Sequence, residues 1–138
     1  MAHGHLHVDA LIAQSPKRPG GVCGDLVVVD RTERATTLIC CDGYKSGIRA
    51  SVAARLWSSR LRGLLAEGFS LRQAFRRVVE TIERTKADGH TYAAMTVVRI
   101  GADGMTSVVG YDNPPAVLVS RRQATVLAGR PLPVGAGV

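Results

Sequence analysis

The sequence predicts an α+β domain: mostly antiparallel β-sheet with an antiparallel pair of helices packed on one sheet face. Three observations carry this. Strand-type runs cluster towards both ends of the chain, two helical stripes of apolar residues lie together between them, and short polar turns join successive strands. A chain of 138 residues makes one domain. Folding at that size removes roughly two thirds of the unfolded surface from water, enough for a core without staples.

The chain opens on alternation. Leu6, Val8, Ala10 and Ile12 fall on one side and His3, His5, His7 and Asp9 on the other, a period of two that predicts a half-buried strand. Residues 15–21 (SPKRPGG) are a loop by composition. Residues 25–30 (DLVVVD) and 36–41 (TTLICC) follow as strands, joined in a hairpin by the polar RTERA stretch. Their near-continuous apolar character predicts cover on both sheet faces.

The turn DGYKSG at 42–47 opens directly into a helix. Ala50, Ala53, Ala54, Trp57, Leu61, Leu64 and Leu65 recur there at helical spacing, and Gly68 ends it. Ser70 with Gln73 three residues on forms the capping-box pattern of the next helix. Leu71, Ala74, Phe75, Val78, Val79 and Ile82 make its single apolar stripe, and Arg76–Glu80 and Glu80–Arg84 are i,i+4 pairs on its wet face. Strands at 92–100 and 105–111 then flank a four-residue hairpin loop, GADG. After the turn Asp112-Asn113-Pro114-Pro115 come two short strands at 116–120 and 124–127. The expected order is β-β-β-α-α-β-β-β-β.

Lys and Arg number 18 against 11 Asp and Glu, a formal net charge of +7. Such a surface attracts anions, including phosphoproteins, acidic proteins and nucleic acids. Aromatic residues make up only 4% of the chain, leaving few platforms for base stacking, so nucleic acid ranks behind an acidic protein as a partner for the arginine-rich helices. No apolar run approaches the ~20 residues of a membrane helix, and no charged flank with a greasy core marks a secretory signal. The expectation is a cytoplasmic protein with no membrane partner. Cys23, Cys40 and Cys41 are odd in number and lack CxxC spacing, and Cys40 and Cys41 would point to opposite faces of one strand, as small hydrophobes in a reducing compartment. His3, His5 and His7 on one strand face form an array able to take zinc or nickel; a wet strand face is the plainer reading. Lys45-Ser46 lacks the glycine spacing of a phosphate-binding Walker loop.

Two acids occupy special places. Asp25 opens one strand after Gly24, and Asp42 closes the next before Gly43. If these strands pair antiparallel, both carboxylates converge on one sheet edge. Glycines 20, 21, 24, 43 and 47 around them allow a backbone to approach a ligand closely. The helix starting near Ser46 points unpaired N–H groups and its positive end at the same place. Carboxylates with an exposed carbonyl are hard oxygen ligands, suited to Mg²⁺ or Mn²⁺ rather than zinc. Turn and cap roles for the two aspartates are the plainer alternative.

GGVCGDLVVVD, then ICCDGYKSGIRASVAA, then two helices, then YDNPPAVLV together resemble the type 2C (PPM) metal-dependent protein serine/threonine phosphatases. The similarity spans nearly the whole chain and is greatest to their SpoIIE-like branch. The resemblance implies a β-sandwich flanked by antiparallel helix pairs. It implies hydrolysis of phosphoserine or phosphothreonine on a bacterial regulatory protein, of the anti-sigma antagonist kind, by attack of metal-bound hydroxide. The cofactor implied is a binuclear Mn²⁺ or Mg²⁺ centre, with Asp42 bridging the ions, the Gly43 carbonyl binding one of them and Asp25 holding the cluster directly or through water. Asp112 falls where many members have a Gly-Asp pair, but Tyr111 replaces that glycine, so a turn is the plainer reading.

Three departures matter. The family usually has glycine at Lys45 and commonly histidine, methionine or leucine at Tyr44, which here place an ammonium and a phenol near the expected metals. The family's remaining metal aspartates come later than Val138, and the GRPLPVGAGV ending resembles the run-up to them. The expectation is therefore one phosphatase-like domain, residues 1–138, lacking the C-terminal part of the family fold. The alternative function is a catalytically impaired, phosphatase-like binding module that recognises a regulatory partner through its basic helices. Missing strands would also leave sheet edges unpaired, inviting a homo-oligomer or the docking of another chain.

Overall fold

A computed structural model describes residues 6–129. In chain order the elements are β1 (Asp25–Arg31), β2 (Ala35–Gly43), α1 (Gly47–Ala66), α2 (Leu71–Ala87), β3 (Ala93–Gly101), β4 (Thr106–Tyr111), β5 (Val117–Val119) and β6 (Ala124–Val126). The first four strands form an antiparallel sheet in the order β1-β2-β3-β4, while β5 and β6 pair separately. This is the α+β architecture expected, with both helices on one face of the larger sheet.

Strand alternation explains the core. Ile39 and Cys41 of β2 and Met95 and Val97 of β3 point at the helices and are essentially inaccessible. They meet Trp57 and Leu61 of α1 and Phe75, Val78 and Ile82 of α2. The other sheet face carries half-buried Leu38 and Val98 and exposed Cys40. Among the described residues only the helix-side face is fully covered, where the apolar runs had predicted cover on both.

Local signals in the helices translate directly. The Ser70 hydroxyl accepts the Gln73 N–H at 3.2 Å while the Gln73 side chain accepts the Ser70 N–H at 3.1 Å, closing the capping box. Arg76 and Glu80 pair at 3.2 Å; no Glu80–Arg84 pair forms among the described residues. The Tyr111 hydroxyl donates to Glu83, tying β4 to α2, and burial followed by this carboxylate raises the Tyr111 pKa. No helix of the described residues is long and apolar enough to cross a membrane.

The N-terminal alternation does not become a strand: residues 6–24 join no sheet. They nonetheless run antiparallel beside β1, where the Arg31 guanidinium donates to the Val8 carbonyl at 2.6 Å and the Gln14 amide to the Asp25 carbonyl at 2.8 Å. Both contacts go through long side chains instead of a backbone ladder. With Leu6 and Ile12 half exposed and Leu11 fully so, little burial rewards closer pairing. His3 and His5 lie outside the described residues. His7 meets Asp9 at 2.8 Å in solvent.

Candidate metal centre

Asp25 and Asp42 face each other as direct partners in the β1–β2 ladder. Their neighbours Leu26 and Cys41 turn to the helix side, so the two carboxylates project from the opposite face at one corner of the sheet. The pair is close enough to interact. Partial burial, then a hydrogen bond with Asp25 and repulsion from its charge, raises the Asp42 pKa. Two carboxyls so placed share a proton or gather a cation. Beside them the Gly43 N–H donates to the Gly24 carbonyl at 3.1 Å, but among the described residues the Gly24 N–H returns no bond to the Gly43 carbonyl. That oxygen remains an open acceptor next to Asp42.

Two of the glycines make room for α1. A Cβ at Gly24 would lie 2.8 Å from the Ala50 Cβ, and one at Gly43 would lie 2.6 Å from the Ala50 Cα and closer still to its carbonyl. What approaches these two glycines is α1, through the Ala50 methyl at Gly24 and the Ala50 main chain at Gly43. Each Gly–Asp and Asp–Gly step thus has one residue with no side chain facing α1 and one carboxylate facing the other way. Ala50, fully buried, is the counterpart that sequence reading overlooked as anything but core. Gly47 opens α1 at a φ of 77°, which an L side chain rarely adopts. The first turn of α1 has no side-chain cap and no acidic residue, so its N–H groups keep their positive field.

A second group follows Asp42 along the chain. The Tyr44 N–H donates to the Tyr92 carbonyl at 2.8 Å, and the two rings stack with centroids 4.6 Å apart. The Lys45 ammonium sits 5.7 Å from the Tyr44 ring and that of Lys86 4.5 Å from the Tyr92 ring. Lys45 holds a left-handed φ of 69°, a conformation that favours glycine. Tyr92 and Lys86 were not singled out from the sequence. Only the pairing of Gly43 with Ala93 brings them there. Asp112, in a left-handed turn with a φ of 56°, lies at the same end of the sheet but two strands from Asp42, about 10 Å away by strand spacing. Among the described residues no three His, Cys, Asp or Glu side chains gather at metal-binding distance.

The PP2C phosphatase domain of the cell-fate determinant SpoIIE from Bacillus subtilis, solved with a fragment of its regulatory domain, matches 90% of this chain with a TM-score of 0.74 at 20% identity. The chain has the PP2C phosphatase fold. RsbX, solved in complex with magnesium, likewise matches 90% of the chain, with a TM-score of 0.66 at 15% identity. The chain spans 36% of the SpoIIE structure and 58% of the RsbX structure. No protein-family model and no curated protein matches it.

On this PP2C-type frame the donors suit a hard divalent cation: two carboxylates and a free carbonyl, all oxygen. They leave about half of an octahedral shell to water or phosphate oxygens. Asp25, Asp42 and Gly43, named from the sequence, are brought to one corner. The structure adds Tyr92 and Lys86 to Tyr44 and Lys45.

Proposed function

We propose that this chain is phosphatase machinery of the metal-dependent serine/threonine class, acting on a phosphorylated regulatory protein in the cytoplasm. The observation that carries the reading is the cross-strand pairing of Asp25 with Asp42 beside the open Gly43 carbonyl, on a PP2C fold. Asp42, Asp25 and the Gly43 carbonyl would hold Mn²⁺ or Mg²⁺. When bound, the cation neutralises phosphate charge and makes a coordinated water acidic enough to serve near neutral pH. The protein's own part is positional. The paired strands fix the two carboxylates, Gly24 and Gly43 let α1 brace them, and Lys45, three residues on from Asp42, would present an ammonium group to an arriving phosphate dianion.

The test is hydrolysis of an aryl phosphate and of a phosphoserine peptide with and without Mn²⁺. Turnover that needs the metal, stops with chelator and disappears in Asp42→Asn supports the reading. A rate equal to the metal-free blank removes it.

One observation favours a second reading. The described residues supply two carboxylates and no third metal-binding side chain at the corner, which suits a phosphatase-like module that binds a regulatory partner without turning it over. Calorimetry separates the two, because such a module would bind its partner with an affinity indifferent to Mn²⁺.

A further inference from the structure

Helix α1 has a second face that its packing does not use. Ala50, Ala53, Trp57, Leu61 and Leu64 bury one side of it, while Ile48, Val52 and Leu56 stand 70%, 58% and 55% exposed on the other. At about 3.6 residues per turn these three line up, and the line continues through Ser59, Gly63 and Ala66 at alternating three- and four-residue steps. It is a narrow seam, bulky at its N-terminal half and small at its C-terminal half. Arg49 and Arg60 flank one side of the seam and Arg55 and Arg62 the other. Arg62 is committed to Asp30 at 2.7 and 2.9 Å. Arg49, Arg55 and Arg60 are exposed and make no ion pair among the described residues, and α1 contains no acidic residue.

We propose that this face of α1 docks an amphipathic helix of a partner protein whose apolar seam is bordered by carboxylates. The charge pattern selects this occupant. A second copy of α1 would set arginine rows against arginine rows within one Debye length, about 10 Å at 0.1 M salt. A partner helix with Glu or Asp at the flanking positions instead pairs with both rows while its seam covers Ile48, Val52 and Leu56, in the manner of coiled-coil flanks. A lipid surface fits less well, since the exposed arc carries no Trp or Tyr to sit at an interface. Ser59, Gly63 and Ala66 let the two backbones converge towards the far end. The surface lies across α1 from the Ala50 contact and does not depend on the phosphatase reading.

The probe is a labelled three-heptad synthetic helix with a leucine seam and glutamate flanks, titrated with the full chain by fluorescence anisotropy at low and moderate salt. Binding in the micromolar range, weakened at least about tenfold by Val52→Glu with Leu56→Glu and by Arg49→Glu with Arg60→Glu, is the expected result. Circular dichroism melts confirm that the variants fold; Val52→Ser with Leu56→Ser replaces the first pair if they do not, with the same loss expected. The proposal is overturned by absence of binding. It is equally overturned if a lysine-flanked or scrambled peptide binds as well, if the variants bind undiminished, if phosphatidylserine vesicles take the same face in preference to the peptide, or if α1 instead mediates a dimer on sizing with light scattering.

Discussion

Replacing Gly43 with alanine tests the claim that this residue is reserved for α1. The added methyl would stand 2.6 Å from the Ala50 Cα and closer still to its carbonyl, whereas carbon atoms in contact sit at about 3.5–4.0 Å, so helix and strand must part by at least about 1 Å. Main chain blocks the way, and no rotamer change relieves it. Ala50, Ala53, Ala54 and Trp57 lie buried along the same helix face, so α1 cannot withdraw at one point alone. Overpacking typically costs about 1–3 kcal/mol, and a rigid obstacle puts Gly43→Ala near 3 kcal/mol. For a chain of this size that lowers the melting temperature by roughly 10–15 °C. The same substitution at Gly63, exposed within α1 with nothing within 4 Å of a new Cβ, should stabilise by about 0.5–1 kcal/mol. Thermal melts followed by far-ultraviolet circular dichroism compare the two. A Gly43→Ala protein melting within about 3 °C of wild type would refute the packing argument.

The remaining predictions concern the site and the core. The raised Asp42 pKa means that its contribution to stability is present below the unfolded-state value and is lost as pH rises through the folded-state value. Without metal, Asp42→Asn should therefore raise the neutral-pH melting temperature, and it should abolish any rise that Mn²⁺ gives the wild type on the proposed metal reading; a lower metal-free value in the variant would contradict the paired geometry. Lys45→Gly removes a left-handed strain of about 1 kcal/mol, so its melting temperature should hold or increase. KM for a phosphopeptide should nevertheless rise several-fold, and an unchanged KM would exclude Lys45 from substrate contact. Phe75→Ala should cost about 3–5 kcal/mol in urea denaturation, since the ring is buried among both helices and the sheet. Burial, with a smaller contribution from Cys40, pushes the Cys41 thiol up to about 12. Thiol labelling at about pH 8 should then reach Cys41 only through global unfolding, at a rate that follows urea concentration.

The local features were legible because their causes are local. Ser70 and Gln73 cap α2 through bonds three residues apart, and the hairpin between β1 and β2 follows from two apolar runs with a polar turn between them. Asp25 and Asp42 could be placed together for that reason: an antiparallel hairpin brings the start of one strand to the end of the next. The N-terminal alternation shows where such reasoning stops. Period two assigns side chains to two sides, but a strand also needs a backbone partner and buried area, and residues 6–24 find neither in full.

From its residues alone the chain determined its helices, its main hairpins and the meeting of two carboxylates at a sheet corner, each set by contacts between neighbours in sequence or across one turn. Tertiary packing alone decided that Gly24 and Gly43 yield to Ala50, that Tyr92 stacks on Tyr44 with Lys86 over its ring, and that one arginine-bordered face of α1 remains open. The physical reason is that these contacts depend on how separate elements pack: Gly24 meets Ala50 and Tyr44 meets Tyr92 across tens of residues, and even Gly43 meets Ala50 only because α1 folds back over β2.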